Sequence, residues 1–338
     1  MVTEEGRLRI GLIGCGVHGN NLAQAMIRSD LLRLVACADP DEGAAGRAAA
    51  LSSDVSVYPS IDALLASRAV DAVVIATPHD QLAPASLTAI HARKHVLVEK
   101  PMAMNLDQAK ELECSAAKFG VNCMVGYSFR FSMGRYVQDL LRAGAVGEIQ
   151  AVSGSIGTGP MNSGWTAKPE CGGGPLLYVG CHLIDLLFWF TGAEPAGVFA
   201  EVHRRTDTGV DETSAIQIEL SNGIVAQFVV TQAAPAFFYN LQIHGRLGSI
   251  ALRGRNFLQF EVEVFSSALP AYQEPTIVQP LVRRDNVSMM LVPELEEFAR
   301  SIAERRPPAI TAGDGRRVCA VLDAILESGC SRRVKNLP

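Results

Sequence analysis

A lysine follows an apolar run in this chain, at the point where a buried strand would end. Lys100 lies in the tripeptide Glu99-Lys100-Pro101, which directly follows His95-Val96-Leu97-Val98. Burying an ammonium group is costly unless the group is paired or used. A glycine-rich turn of the kind that holds a dinucleotide occurs earlier, at residues 14–19. A proton-handling lysine beside a nicotinamide would serve hydride transfer, so the two features together indicate an oxidoreductase.

The glycine-rich turn lies between a predicted strand over 7–13 and a predicted helix over 21–28, the context that makes a GxGxxG pattern specific. Its residues are Gly14, Cys15, Gly16, Val17, His18 and Gly19. Gly14 permits the tight turn, Gly16 lets the backbone approach a pyrophosphate, and Gly19 allows the helix to pack closely on the strand. Because a helix N-terminus offers free N–H groups to phosphates, we predict that the whole turn binds a dinucleotide.

The choice between NAD and NADP depends on Asp39, which follows a second predicted strand over 33–38. A carboxylate there can accept hydrogen bonds from both hydroxyls of the adenosine ribose. It would repel a 2′-phosphate, and neither Pro40 nor Asp41 offers a cation to receive one. NAD is therefore favoured, although Arg47 could swing toward the site and leaves NADP open as the less favoured cofactor.

The first half of the chain alternates short apolar strands with helices, as a parallel sheet requires. The later predicted elements are strands over 71–76, 94–99 and 121–126 and helices over 84–91 and 105–120. The carboxyl ends of parallel strands meet at one edge, where open α/β sheets bind their ligands. The residues that follow two of these strands are therefore predicted to bind the cofactor, namely Thr77, Pro78, Glu99 and Lys100.

Beyond about residue 127 the pattern changes. The segment 148–156 alternates like a strand, and 157–174 is a long polar loop rich in glycine. Predicted strands over 216–220 and 225–231 flank a turn at 221–223, which is typical of a hairpin. Because the return strand is apolar on both faces, we expect its sheet to be covered on both sides, by helices and by a partner subunit.

A chain of 338 residues is too long for one ordinary hydrophobic core and suits two domains. We predict an α/β Rossmann domain with a parallel sheet over residues 1–127. The second domain, over 128–338, is predicted to be α+β, built on a largely antiparallel open sheet that serves substrate binding and oligomerisation. Helices over 293–302 and 315–328 are expected to close the chain. The apolar sheet faces predict a homodimer or a homotetramer.

Composition argues against several classes of partner. A formal charge of −5 is unsuited to a nucleic-acid groove. The eight cysteines show no CxxC pair and no zinc-like spacing, so we expect reduced thiols, no metal site and a cytoplasmic protein. The longest apolar run, over 176–190, is shorter than a membrane span and carries His182 and Asp185. We therefore predict that no segment crosses a membrane.

Several motifs are specific in combination because of their order and spacing. They are Gly14-Cys15-Gly16-Val17-His18-Gly19, Asp39-Pro40, Thr77-Pro78, Glu99-Lys100-Pro101, Gly172-Gly173-Gly174-Pro175 and Gly180-Cys181-His182-Leu183-Ile184-Asp185. The chain thereby resembles the Gfo/Idh/MocA family of oxidoreductases over nearly its whole length. The resemblance implies that Lys100 hydrogen-bonds the reacting oxygen of the substrate. It also implies that His182, in the second domain, exchanges the proton of that oxygen.

The chemistry of alcohol oxidation agrees with these two roles. A secondary alcohol loses a hydride, which the nicotinamide takes, and a proton, which a side chain must take. A histidine titrates near neutral pH, which suits His182 to accept that proton. A lysine held near the nicotinamide can stabilise negative charge that develops on the oxygen, as proposed for Lys100.

Tyr178 stands where relatives commonly carry an aspartate, four residues before the histidine. On a regular helix Tyr178, His182 and Asp185 would share one face. We predict that Tyr178 takes part, by donating to a substrate hydroxyl or by relaying a proton. Alternatively it is only a wall of the site, and the lost carboxylate reflects a different substrate or a weakened dehydrogenase. Phe129 is predicted to contact the substrate, and Trp165 either stacks on a sugar ring or packs on its own domain.

The sequence therefore predicts an NAD-dependent dehydrogenase that acts on a secondary hydroxyl of a sugar, cyclitol or sugar derivative. The reverse reduction of a ketone is equally compatible. The predicted catalytic residues are Lys100, His182 and Tyr178, and the predicted substrate-binding residues are Lys100, Phe129, Trp165, Tyr178 and His182. Two alternatives stay open: an NAD-dependent glycosidase that oxidises its substrate transiently, and a sensor that keeps the dinucleotide domain without turnover.

Overall fold

The computed structural model describes residues 6–256, 258–280 and 286–337, which form two compact units. The first unit contains the chain up to Ser128 and a later segment that ends at Arg316, and the second unit contains the rest. The sequence-based division assigned everything after residue 127 to the second domain. The structure instead groups the later segment with the first unit.

The helices and strands have the following bounds. The strands are β1 (Leu8–Ile13), β2 (Leu32–Ala38), β3 (Ser56–Tyr58), β4 (Ala72–Ile75), β5 (His95–Glu99), β6 (Cys123–Gly126), β7 (Ile149–Gly157), β8 (Pro195–Arg204), β9 (Asp211–Leu220), β10 (Val225–Thr231), β11 (Phe238–Gly245), β12 (Gly248–Gly254), β13 (Phe260–Ser266), β14 (Thr276–Val278) and β15 (Lys335–Asn336). The α-helices are α1 (Val17–Arg28), α2 (Glu42–Ala49), α3 (Ile61–Ala66), α4 (His79–His91), α5 (Leu106–Phe119), α6 (Met133–Arg142), α7 (Cys181–Thr191), α8 (Val287–Ala303) and α9 (Ala312–Ser331).

The first unit is built on a sheet whose described strands all run parallel, in the order β3-β2-β1-β4-β5-β6. This confirms the predicted parallel sheet. The chain proceeds outward in one direction from β1 and in the other from β4, so a crevice for a dinucleotide opens at the carboxyl ends of these two strands. The edge strand β3 escapes the sequence-based prediction because its three residues are mostly exposed and show no apolar alternation.

Helix α8 belongs to the first unit, where it packs against α1. The Asn286 side chain caps it by accepting a hydrogen bond from the Met289 N–H. The helix therefore starts at Val287, earlier than the predicted start at Pro293, which lies inside the helix. A proline favours the first turn of a helix, which is why the sequence alone suggests the later start.

The second unit is built on a large sheet with the described strand order β14-β13-β12-β11-β7-β10-β9-β8-β15. Neighbouring strands are antiparallel except for β7 and β10, which run parallel. The predicted hairpin is confirmed, since β9 and β10 pair around the turn at 221–223. The prediction of a largely antiparallel sheet is confirmed as well.

One face of the returning strand β10 is open in the single chain. Ala226, Phe228 and Val230 are buried, whereas Val225 and Val229 remain about two-fifths exposed. Strict alternation along a strand sends neighbouring side chains to opposite faces, so this chain buries one row of β10 and leaves the other row accessible. The expected cover of the open face by a partner subunit stays a prediction.

The stretch Pro169–Thr191 is the part of the described chain that is long and apolar enough to cross a membrane by length and composition. It ends in a π-helical turn over Leu176–Gly180 followed by α7. In its most apolar window 89% of the residues are buried inside the protein. The apolar character of this stretch is therefore accounted for by its position in the protein core.

Candidate active site

The glycine-rich turn brings three pieces of backbone of the first unit into close contact. The Gly14 N–H donates to the Ala38 carbonyl at 2.9 Å. Gly14 has a φ of +87°, and a Cβ on it would lie 2.5 Å from the Ala76 carbonyl oxygen. A Cβ on Gly19 would overlap the Gly14 carbonyl oxygen. Only glycine fits at these two positions, which hold α1 close to the ends of β1 and β4.

The space beside the first turn of α1 is free. Nothing in the described structure lies within 4 Å of the position of a Cβ on Gly16, and no described side chain caps this turn. The side chain of Val17 is turned outward, at 87% exposed. The turn thus offers uncapped N–H groups, the positive end of a helix dipole and room for a phosphate to approach the backbone. These are the requirements of a dinucleotide pyrophosphate.

Asp39 is held at the end of β2 by backbone donors. Its Oδ2 accepts the Cys15 N–H at 2.6 Å, and its Oδ1 accepts the Asp41 N–H at 2.8 Å. Each carboxylate oxygen can accept more than one hydrogen bond, so capacity is left for ribose hydroxyls. The fixed carboxylate fits the role that the sequence predicts for it.

Glu99 and His18 form a side-chain contact that the sequence does not predict, although both residues are assigned to cofactor binding. The His18 Nε2 lies 2.8 Å from the Glu99 Oε1, and the Lys100 N–H donates to the Glu99 Oε2 at 3.3 Å. Glu99 is 6% exposed. Desolvation acts to raise the pKa of Glu99, but His18 and Lys100 outweigh it and hold that pKa below its ordinary value. The pair connects the glycine-rich turn to the segment that carries Lys100.

Thr77 and Pro78 follow β4 at the same sheet edge. The Thr77 hydroxyl is buried and has no hydrogen-bond partner within the described residues. A buried hydroxyl without a partner is costly, so its presence indicates a ligand that supplies one. Together with the free space at Gly16, this hydroxyl shows that the residues of the edge fit a dinucleotide.

We expect Gly16→Ala to weaken NAD binding without affecting folding. The added methyl group meets nothing in the protein, but it would occupy the space where a pyrophosphate approaches the backbone, so the Kd for NAD should rise by about tenfold or more. Isothermal titration calorimetry measures the Kd, and thermal unfolding reports on the fold. Gly46→Ala in α2 is the matched control, because a Cβ there also meets nothing within 4 Å. Equal NAD affinity in the two variants would contradict the assigned position of the pyrophosphate.

In the second unit His182 is packed against an aromatic ring. Its imidazole is 4% exposed and stacks on Phe129, with ring centroids 4.0 Å apart and an interplanar angle of 10°. Phe129 itself is only 2% exposed. The ring is covered and supports the imidazole, and contact of Phe129 with the substrate stays a prediction.

A buried ion pair fixes the helix that carries His182. The Arg130 Nε donates to the Asp185 Oδ2 at 2.9 Å, and its Nη2 donates to the Asp185 Oδ1 at 2.6 Å. Both side chains are almost fully buried, and the guanidinium also lies over the Trp189 ring at 5.5 Å. A bidentate contact of this kind sets both the distance and the orientation of α7 relative to the segment that carries Arg130.

We expect Arg130→Met to lower the free energy of unfolding by about 3–5 kcal/mol, because it leaves the Asp185 carboxylate buried without its cation. Arg135→Met is the control, since it removes an exposed ion pair with Asp139 and should cost about 0.5 kcal/mol or less. Urea unfolding followed by circular dichroism measures both. Similar losses in the two variants would show that the buried pair does not hold this helix.

Tyr178 lies on the π-helical turn before α7, and its side chain is 36% exposed. The predicted common face of Tyr178, His182 and Asp185 assumed regular α-helical spacing. The π-helical turn breaks that spacing, so Tyr178 is exposed whereas His182 and Asp185 are buried. Tyr178 contacts the Trp165 ring at a centroid distance of 6.0 Å.

A cavity of about 240 Å³ opens beside Tyr178. It is lined by the stretch Thr158–Ser163, by Thr166 and by Tyr178, and no charged side chain is among these residues. Hydroxyl groups, one amide and backbone form its polar surface. Such a lining can exchange hydrogen bonds with hydroxyl groups of a ligand but offers no cation to an anionic one.

Asp211, at the start of β9, is a buried carboxylate that the sequence analysis did not single out. Its Oδ2 accepts the Leu176 N–H at 2.9 Å, at the beginning of the π-helical turn. Gly174 has a φ of +102°, and a Cβ on it would overlap the Asp211 Oδ1, so the carboxylate needs glycine beside it. Desolvation raises the pKa of Asp211 to about 6. The polar start of an alternating strand was the sequence signal that could have identified it.

The raised pKa of Asp211 predicts a pH-dependent stability. The folded pKa of about 6 exceeds the ordinary value of 3.8, so the folded protein binds the proton more tightly than the unfolded chain. Stability from this group therefore increases as the pH falls through about 6 and is lost again as the pH rises. Between about pH 7 and pH 5 we expect a gain of about 1 kcal/mol that Asp211→Asn lacks.

Denaturant unfolding at the two pH values measures this difference. Asp207→Asn is the control, because the exposed Asp207 is held by Arg205 at a pKa of about 2 and does not titrate in this range. A pH dependence that is the same in all three proteins would exclude a raised pKa for Asp211.

Each unit thus brings part of the predicted site together. In the first, the glycine-rich turn, Asp39, Thr77, Pro78, Glu99 and Lys100 all follow or adjoin the carboxyl ends of parallel strands. In the second, Trp165 and Tyr178 are in contact, while His182 is held by Phe129. No group of three His, Cys, Asp or Glu residues within the described ranges is arranged to hold a metal ion.

Comparison with known families identifies the class of this chain. Residues 8–127 match the model of the oxidoreductase family with an NAD-binding Rossmann fold, and residues 135–251 match the GFO/IDH/MocA C-terminal domain. The chain belongs to the Gfo/Idh/MocA family, and it is an oxidoreductase whose first unit is an NAD-binding Rossmann domain.

Among its relatives is 1,5-anhydro-D-fructose reductase of Ensifer adhaerens, 29% identical over 262 residues that cover 74% of this chain and 76% of the relative. The dTDP-3,4-didehydro-2,6-dideoxy-alpha-D-glucose 3-reductase of Actinomadura kijaniata is 28% identical and covers 87% of this chain and 85% of its own. Levoglucosan dehydrogenase, solved with NADH and levoglucosan, superposes with a TM-score of 0.88 at 22% identity, covering 98% of this chain and 99% of its own. At that identity the superposition shows a shared fold.

Proposed function

We propose that this protein is an NAD-dependent dehydrogenase or reductase that transfers a hydride between nicotinamide and a secondary hydroxyl or ketone of an uncharged sugar, cyclitol or sugar derivative. The observation that carries the choice of substrate is the cavity beside Tyr178, because its lining is polar but bears no charge. The names of sugar-directed relatives, such as 1,5-anhydro-D-fructose reductase, support the same class of substrate.

The cofactor residues act before any chemistry takes place. The first turn of α1 receives the pyrophosphate, Asp39 accepts hydrogen bonds from the ribose hydroxyls, and the Thr77 hydroxyl gains a partner. Because the carboxylate of Asp39 repels a 2′-phosphate, the enzyme uses NAD in preference to NADP. When bound, NAD takes up the hydride in the oxidative direction and supplies it, as NADH, in the reductive one.

Lys100 and His182 share the charge and the proton of the reacting oxygen. Lys100 donates a hydrogen bond to that oxygen and stabilises the negative charge that develops as the hydride leaves. Its backbone is fixed by Glu99, which His18 holds in place. His182 accepts the proton in oxidation and returns it in reduction. Stacking on Phe129 keeps the imidazole in one orientation while it does so.

Tyr178 and Trp165 are assigned to the substrate side. Tyr178 presents its side chain to the cavity and donates a hydrogen bond to a substrate hydroxyl. Trp165 contacts Tyr178 and contributes an aromatic wall against the apolar face of a sugar ring. These assignments follow from exposure, since both rings are at least partly accessible, whereas Phe129 is buried.

We also propose that the protein works in the cytoplasm as a homodimer or homotetramer. All eight cysteines are free thiols, which suits a reducing compartment. The open face of the second sheet leaves Phe199, Val225 and Val229 about two-fifths exposed, and a second subunit would bury them. Sedimentation velocity measures the subunit number directly.

The reaction is tested by NADH formation over a panel of neutral sugars, cyclitols, uronic acids and sugar phosphates, with NAD and NADP compared. Lys100→Met should reduce kcat by about 100-fold or more while NAD binding is kept, because the oxygen loses its stabilising cation. Lys110→Met is the matched control, since this exposed lysine of α5 makes a surface pair with Asp107.

The panel also separates the other activities. Turnover of neutral compounds that is lost in Lys100→Met supports the proposal. Turnover restricted to uronic acids or phosphates would contradict the substrate class. Release of a glycosidic substituent without net NADH would identify a glycosidase, and firm NAD binding with no reaction of any compound would identify a sensor.

A further inference from the structure

Two buried polar side chains of the second unit join the wall of the cavity to the helical segment that carries Tyr178 and His182. They are Asp211, at the start of β9, and Gln232, directly after β10. Both are nearly inaccessible, at 2% and 1% exposed. Polar side chains buried to this degree are costly unless hydrogen bonds satisfy them, so the position of each partner matters.

Gln232 uses both ends of its amide. Its Nε2 donates to the Asp211 carbonyl at 2.6 Å, and its Oε1 accepts the Met161 N–H at 2.8 Å. Only this orientation of the amide satisfies both neighbours, because one is a carbonyl and the other an N–H. The side chain therefore holds β9 at a fixed distance from the loop that follows β7.

Asp211 continues the connection through its other groups. Its backbone carbonyl accepts a hydrogen bond from the Gln232 Nε2, and its carboxylate accepts the Leu176 N–H at the start of the π-helical turn. The neighbouring Gly174 leaves room for the carboxylate. A continuous path of hydrogen bonds thus runs from Met161 through Gln232 and Asp211 to Leu176.

The two ends of this path belong to opposite parts of the cavity lining. Met161 lies in the stretch Thr158–Ser163, and Leu176 is two residues before Tyr178. The loop over 157–174 is long, and ordering a long loop costs conformational entropy that fixed contacts must offset. A change at Gln232 would free the Met161 end of the path and leave the helical end attached.

We propose that Gln232 and Asp211 are positioning residues for substrate binding, which hold the cavity wall at Met161 at a fixed distance from the helical turn of Tyr178. This inference rests on the proposed function, since it takes the cavity to be the substrate site. Gln232 acts on the wall alone, so its loss affects KM. Asp211 acts on the helical segment as well, so its loss affects both KM and kcat.

The experiment combines kinetics with amide hydrogen exchange. In Gln232→Met we expect KM to rise by about tenfold while kcat stays within about threefold, because a lost hydrogen bond at the wall weakens binding of substrate and transition state alike. In the same variant the Met161 amide should exchange faster, while the Leu176 amide keeps its protection. Gln150→Met, an exposed glutamine of β7 in the same sheet, is the matched control and should change neither.

Asp211 is tested by two substitutions. Asp211→Asn keeps an oxygen that can accept the Leu176 N–H, so KM and kcat should stay within about threefold. Asp211→Ala removes it, so kcat should fall by about tenfold or more and the Leu176 amide should exchange faster. If Gln232→Met does not fold, Gln232→Ala replaces it, because it also removes the acceptor of the Met161 N–H.

The hydrogen exchange can overturn the inference even if no substrate is found. An unchanged Met161 amide in Gln232→Met would overturn it, whether or not the enzyme turns over. Faster exchange with an unchanged KM would also overturn it, because the bond would then be structural only. Absence of turnover in the wild type, with normal exchange effects in the variants, would count against the proposed function and leave the hydrogen-bond path established.

Discussion

The first unit depends on a backbone contact too close for any side chain. Gly14 and Gly19 bring the end of β1, the start of α1 and the segment after β4 together, and a Cβ on either glycine would overlap a carbonyl group. Because α1 is held there, its first turn points at the sheet edge where Asp39, Thr77 and Lys100 also lie. The dinucleotide site is thus a consequence of backbone packing before any side chain is considered.

Three buried carboxylates connect other parts of the molecule, and each of them is stabilised in a different way. Glu99 is paired with a histidine of the glycine-rich turn, and Asp185 is paired with Arg130. At Asp211 the loss of solvation outweighs the hydrogen bonds from backbone N–H groups, which is why its pKa rises whereas that of Glu99 falls. The first two connect separate elements, while the third holds a proton more readily than an ordinary carboxyl group.

The sequence was sufficient for features that depend on local pattern. Apolar alternation and the glycine spacing predict the parallel sheet, the hairpin of β9 and β10 and the position of Asp39, Thr77 and Lys100 at the ends of parallel strands. It was insufficient where a contact joins distant residues, as between His18 and Glu99 or between Asp211 and Leu176. It does not distinguish the two surroundings open to Phe129 either, because a residue after a strand can face a ligand or a neighbouring ring with the same sequence. Residue spacing gives no sign of the π-helical turn at Tyr178, because the pattern predicts a helix but not the number of residues in each of its turns.

That π-helical turn has a consequence for how the cavity can change. A π-helical turn holds one residue more than an α-helical turn within about one turn of helix, so the backbone before and after it keeps its direction. Shortening the turn by one residue therefore leaves α7 in place, where Asp185 is clamped by Arg130 and His182 is stacked on Phe129. What changes is which residue of the turn occupies the position that Tyr178 holds beside the cavity. A single deletion here would exchange the side chain that meets the ligand while the histidine stays in place.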